Sequence, residues 1–177
     1  MLVAQPEAAA GGLTGALIQF ADPWSKIFSH SKAVSAAVLF LHLVPLIIAA
    51  GSAFAADRGT LRAAKAGAVE RTRQLHELAL IHRVVLIGLS LSFVSGTLLF
   101  LSDVETFFGS IFLWVKLSLV GLLLLNGFLM TRTEKALTSG EGDTNAALWG
   151  RLQTLAMSSL VLWLATALAG VVLKEYA

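Results

Sequence analysis

Four long apolar stretches limit what this chain of 177 residues can become, because each is long enough for the roughly 20 helical residues that a hydrocarbon core demands. They lie near residues 34–56, 78–101, 111–131 and 152–173. Inside a bilayer every backbone N–H and C=O needs an internal partner, which leaves helices or a closed barrel. No succession of short segments alternates with period two, so the expected fold is all-α: an integral membrane four-helix bundle. Hydrophobic residues make up 56% of the chain and charged residues only 14%, which excludes an ordinary soluble domain of this length. The sequence contains no cysteine, and this removes thiolate metal sites, iron–sulfur clusters, covalently attached c-type haem and a disulfide frame.

The basic residues sort by side. Lys26, Lys32 and Lys174 fall at one end of the spans, while Arg58, Arg62, Lys65, Arg71, Arg73, Arg83, Arg132, Lys135 and Arg151 fall on or near the other. The positive-inside rule then places both basic loops in the cytoplasm and both termini outside. Arginines in such loops meet headgroups, and no nucleic-acid partner is expected.

Residues 1–33 lack the basic start and unbroken apolar core of a signal peptide and are expected to be retained. Within them GALIQFADPWSKIFSH predicts a short N-terminal interfacial helix, interrupted at DPW, ahead of a four-span domain over 34–177. Phe107 and Phe108 in the short outer loop predict a second interfacial contact. On the cytoplasmic side the second span is expected to extend back to about Val69, because the preceding loop is rich in helix formers. LTSGEGDTN is a true turn, whose Glu141 and Asp143 are solvated or touch a cation.

Two ionisable residues enter the spans from the outer side. His42 stands about a third of the way into the first span, and Lys116 reaches about the same depth in the third, counting 1.5 Å of rise per residue. Ser35, Thr97 and Thr166 fall near that level. An imidazole there is costly unless it is used: as an axial ligand to haem iron, in proton transfer, or in a hydrogen bond that specifies helix packing. Lys116 either snorkels to the outer interface or contributes to a site, for instance by binding a haem propionate or a quinone oxygen. His82 lies about 10 Å or more below His42, which disfavours one haem held by both; it falls level with Met157 and near Gln153, Asn126 and Arg151, a second inner polar cluster. Gly88, Ser92 and Gly96 line one face of the second span, for close helix packing or, near Gly96, to leave room for a flat macrocycle. Pro45 deprives the Leu41 carbonyl of its helical partner and predicts a bend beside His42.

LHLVPLIIAAGSAFAADRGTL in the first span and LSFVSGTLLFLSDVETFFGSIFLWVKLSLVGLLLLN across the second and third resemble small four-helix bacterial membrane proteins. That group includes the membrane domain of CopD-type copper-resistance proteins and the HemJ-type protoporphyrinogen oxidases. Its carriers are a histidine early in the first span and a lysine early in the third, here His42 and Lys116. The resemblance implies b-type haem with these two as functional residues. The third span runs on as GLLLLNGFLM, without the tyrosine and histidine that follow the HemJ-type lysine, and no methionine- or histidine-rich segment of the kind copper handling implies accompanies the helices.

The expected function is that of a b-type haem protein in the lipid bilayer, with His42 as iron ligand and Lys116, His82 and Gly96 as further cofactor-binding candidates. Its role would be redox, with a quinone, a porphyrinogen or a partner protein. The alternatives are a non-catalytic subunit of a larger membrane complex and CopD-like copper transport.

Overall fold

A computed structural model describes residues 6–139 and 145–176, and every regular element among them is an α-helix. In chain order these are α1 (Pro6–His30), α2 (Lys32–Ala63), α3 (Ala68–Ser102), α4 (Val104–Gly109), α5 (Ile111–Thr138) and α6 (Ala146–Tyr176). By length and composition α2, α3, α5 and α6 can each cross a membrane. Their flanks are strongly apolar yet uncovered: Ile47, Leu80, Phe93 and Leu168 are each more than 60% exposed, as expected of surface that faces lipid.

All four helices overrun the apolar stretches, because a helix ends where its backbone partners run out rather than where hydropathy falls. Helix α2 continues seven residues past Ala56 to Ala63, and Ala68 opens α3 after a turn of only Ala64–Gly67, close to the expected start near Val69. Arg71 Nη2 donates to the Ala64 carbonyl at 2.8 Å, and its guanidinium lies 5.2 Å from the centre of the Trp149 ring on α6. One side chain thus caps α2 and ties the turn to α6. Asn145 Oδ1 accepts from Ala147 N and Leu148 N and so starts α6. Glu141 and Asp143 lie outside the described residues.

Helix α1 differs from expectation in running through DPW instead of breaking there. The residues after Pro23 hold it in place: Trp24 Nε1 donates to the Leu98 carbonyl at 2.7 Å and Ser25 Oγ to the Ser102 carbonyl at 2.8 Å, both near the end of α3. Tertiary anchoring of this kind offsets the hydrogen bond a proline removes. Next to it the short α4, capped by Asp103 Oδ1 on Thr106 N, presents Phe108 edge-on to Trp114.

Two buried clusters set the packing. Ala56, Ala63, Leu75, Leu78, Met130, Trp149 and Leu152 join α2, α3, α5 and α6 near the α2–α3 turn, which defines the turn end of the molecule. Farther toward α1 and α4, the α1 end, Ala49, Ala53, Leu123 and Trp163 join α2, α5 and α6. Helix α2 packs closely on α3 and also on α6, and α6 packs on α5, whereas α3 and α5 meet mainly through side chains.

Candidate functional site

His42 projects from α2 toward α3 and is half-buried. Its Nδ1 stands 2.9 Å from the Ser92 carbonyl and 3.3 Å from Ser95 Oγ. A carbonyl only accepts, so this contact fixes the proton on Nδ1 and leaves Nε2 with its lone pair. Nε2 has no hydrogen-bond partner among the described residues.

The small face of α3 is what brings the ring there. A Cβ added at Gly88 would meet the Pro45 carbonyl oxygen at 2.7 Å and Ala49 Cβ at 2.8 Å, and one at Gly96 would meet His42 Cε1 at 3.1 Å. The space that glycine leaves is therefore filled by α2 and by the His42 ring itself. Close packing, the first of the two uses expected of this face, is the one realised at Gly88.

Pro45 has the expected consequence and an answer to it. The Leu41 carbonyl, deprived of its helical donor, has Ser95 Oγ at 3.3 Å, a hydroxyl whose nearest acceptor is the Leu91 carbonyl of its own helix at 2.8 Å, while Ser92 Oγ donates to the His42 carbonyl at 3.0 Å. Two serines of α3 thus stand against consecutive carbonyls of α2 beside the ring. The signal for Ser92 lay in its four-residue spacing with Gly88 and Gly96, whereas Ser95, one residue before Gly96, falls outside that spacing.

Lys116 lies within electrostatic range of His42, in keeping with the depth count. Its stem runs over Gly170 of α6, where a Cβ would stand 3.6 Å from Nζ. It has no ion-pair partner among the described residues, so its charge is available to an anion. Of the other residues expected at this level, Ser35 bonds back to the carbonyl of Ser31, which caps α2, Thr97 to that of Phe93 in its own helix, and Thr166 is buried.

His82 stands ten residues before Ser92 on α3, about 15 Å along the helix. The two histidines are thus well separated, as expected. Its surroundings differ from those the sequence suggested: His82 Nδ1 lies 3.3 Å from Glu134 Oε2 on α5, and Asp57 of α2 is within electrostatic range. Asn126 instead donates to the Leu155 carbonyl at 3.1 Å, and Met157 and Arg151 are exposed. Asp57 is 2% exposed and Glu134 7%. Both were missed because the spans were drawn to end at 56 and 131, yet the signal was present. Asp57 shares the face of Ala49, Ala53, Ala56, Thr60 and Ala63, and Glu134 that of Leu123, Asn126, Met130 and Leu137, all buried at helical spacing.

Comparison with known proteins finds no matching family model, no matching curated protein and no matching solved structure.

Proposed function

We propose that the chain is a multi-pass membrane protein, a four-helix bundle with α1 lying in the outer interface, that binds one b-type haem through His42 and passes electrons to or from a quinone or a protein partner. The α1 end would face outward and the basic turn end the cytoplasm. The observation that carries this reading is the Nδ1 contact to the Ser92 carbonyl, which holds the ring in the tautomer an axial ligand needs, with Nε2 as donor. Histidine ligands are commonly oriented in this way by a carbonyl behind them. The unpaired ammonium of Lys116 nearby suits a propionate, and Gly96 holds the ring against α3. Haem, when bound, supplies one-electron chemistry; the chain's part is to fix the imidazole, offer a cation and keep water from the ring.

The full chain, purified from cells supplied with haem, is expected to show Soret absorption and a reduced-minus-oxidised difference spectrum, and His42→Ala to lose both. A haem-replete preparation with no such absorption overturns the reading. Absorption that survives His42→Ala with an unchanged spectrum removes His42 as ligand.

A second reading, an accessory subunit of a membrane complex, draws on one observation. An open groove of about 540 Å³ runs between α5 and α6, lined by Leu122, Leu125, Asn126, Met157 and Val161. A co-purifying membrane protein that is lost on Val161→Trp would favour it.

A further inference from the structure

The geometry points to a second site at the turn end, where Asp57, His82 and Glu134 from three helices bind and exchange a proton. It is distinct from the His42 region and does not depend on haem. Asp57 comes from α2, His82 from α3 and Glu134 from α5, while α6 contributes the Ser159 hydroxyl that faces Asp57. Asp57, His82 and Glu134 interact electrostatically with one another, and the Ser159 hydroxyl bonds Asp57. No arginine or lysine forms an ion pair with either carboxyl among the described residues.

Charge accounting shows why a proton belongs here. With both carboxylates ionised and the ring cationic, the trio carries one net negative charge. Two of its oxygens, Asp57 Oδ2 and Glu134 Oε1, are buried without a hydrogen-bond partner among the described residues. Buried anionic oxygens without donors are among the least tolerated groups in a protein interior. A proton on one carboxyl makes the trio neutral and turns one orphaned anionic oxygen into a neutral hydroxyl. Among the described residues no three His, Asp or Glu side chains are arranged to hold a metal ion; the two orphaned carboxyl oxygens are the atoms that would take a proton. In the uptake step hydronium at the turn end loses one O–H bond and becomes water as an O–H bond forms at Asp57 Oδ2 or Glu134 Oε1; release breaks that bond and passes the proton back to water as hydronium. No electron moves.

The approach from the turn end is polar. One turn nearer to it, Gln74 Nε2 donates to the Ala56 carbonyl at 3.0 Å and to Thr60 Oγ1 at 3.3 Å, with both side chains buried. The cluster therefore lies at the inner end of a polar wedge cut into otherwise apolar packing.

Infrared difference spectroscopy on the full chain in lipid vesicles, taken between mildly acidic and alkaline buffer, tests the site. The expected result is a carbonyl stretch from a protonated carboxylic acid that grows on acidification, moves when aspartate or glutamate is carbon-13 labelled, and is lost in Asp57→Asn or Glu134→Gln. Labelling needs no substitution, so the wild-type spectrum decides even if a variant fails to fold. A wild-type spectrum without such a band, or a band that survives in both folded variants, overturns the proposal. Haem-loaded and haem-free preparations are expected to give the same band, which separates this outcome from that of the His42 spectrum.

Discussion

His42 and His82 differ in what holds Nδ1: at His42 a backbone carbonyl, at His82 a carboxylate. A carbonyl cannot change its charge, so it fixes a neutral ring in one tautomer and leaves the other nitrogen free to act outward. A carboxylate instead invites the ring to become a cation and draws it into a group whose members answer to one another's protonation. The first arrangement suits a ligand and the second a proton store. Two histidines on adjacent helices of similar apolar sequence thus acquire different chemistry from the helix opposite each.

That contrast can be broken by substitution. The largest effect is expected from Glu134→Ala, which strands the His82 cation; breaking a buried pair in this way costs about 3 kcal/mol. Unfolding in denaturing detergent should show a greater loss at mildly acidic pH, where the ring is cationic, than at alkaline pH, where it is neutral. A loss that does not vary with pH would mean that the two histidines are held alike. Next comes Gly88→Leu, which drives a side chain into the Pro45 carbonyl and should destabilise the α2–α3 pair by about 1–3 kcal/mol. It should also loosen any haem bound at His42 without altering the infrared signature of Asp57 and Glu134. The smallest effect is expected from Ser92→Ala, about 0.6 kcal/mol, a usual value for one hydrogen bond between membrane helices. It spares the Nδ1 contact, which uses the backbone carbonyl of Ser92, and the haem spectrum should therefore be unchanged. A spectral shift there would show that the serine hydroxyls, not the carbonyl, orient the ring.

The four long helices were legible in the sequence because length and hydropathy alone specify them. So was the depth match of His42 with Lys116, which follows from helical rise. What stayed hidden was lateral: which residue of the next helix each ring meets. Ser92 and Ser95 meet His42 because Gly88 and Gly96 allow α3 to come close, and closeness is a property of the pair of helices rather than of either sequence stretch. Asp57 and Glu134 were hidden for a different reason. Charge was taken as the end of a span, whereas both helices continue, and two carboxylates that hydropathy assigns to loops become the most deeply buried acids described.

The two serine contacts about one turn before Pro45 also bear on how the molecule can move. Sliding α2 along α3 by one helical turn, about 5.4 Å, would carry the Leu41 and His42 carbonyls past Ser95 and Ser92 and leave the Leu41 carbonyl, which has no helical donor, unpaired in a medium that offers no substitutes. The pair is therefore geared rather than free to piston, and any rearrangement that links its two ends must swing α2 and α3 as one lever against α5 and α6.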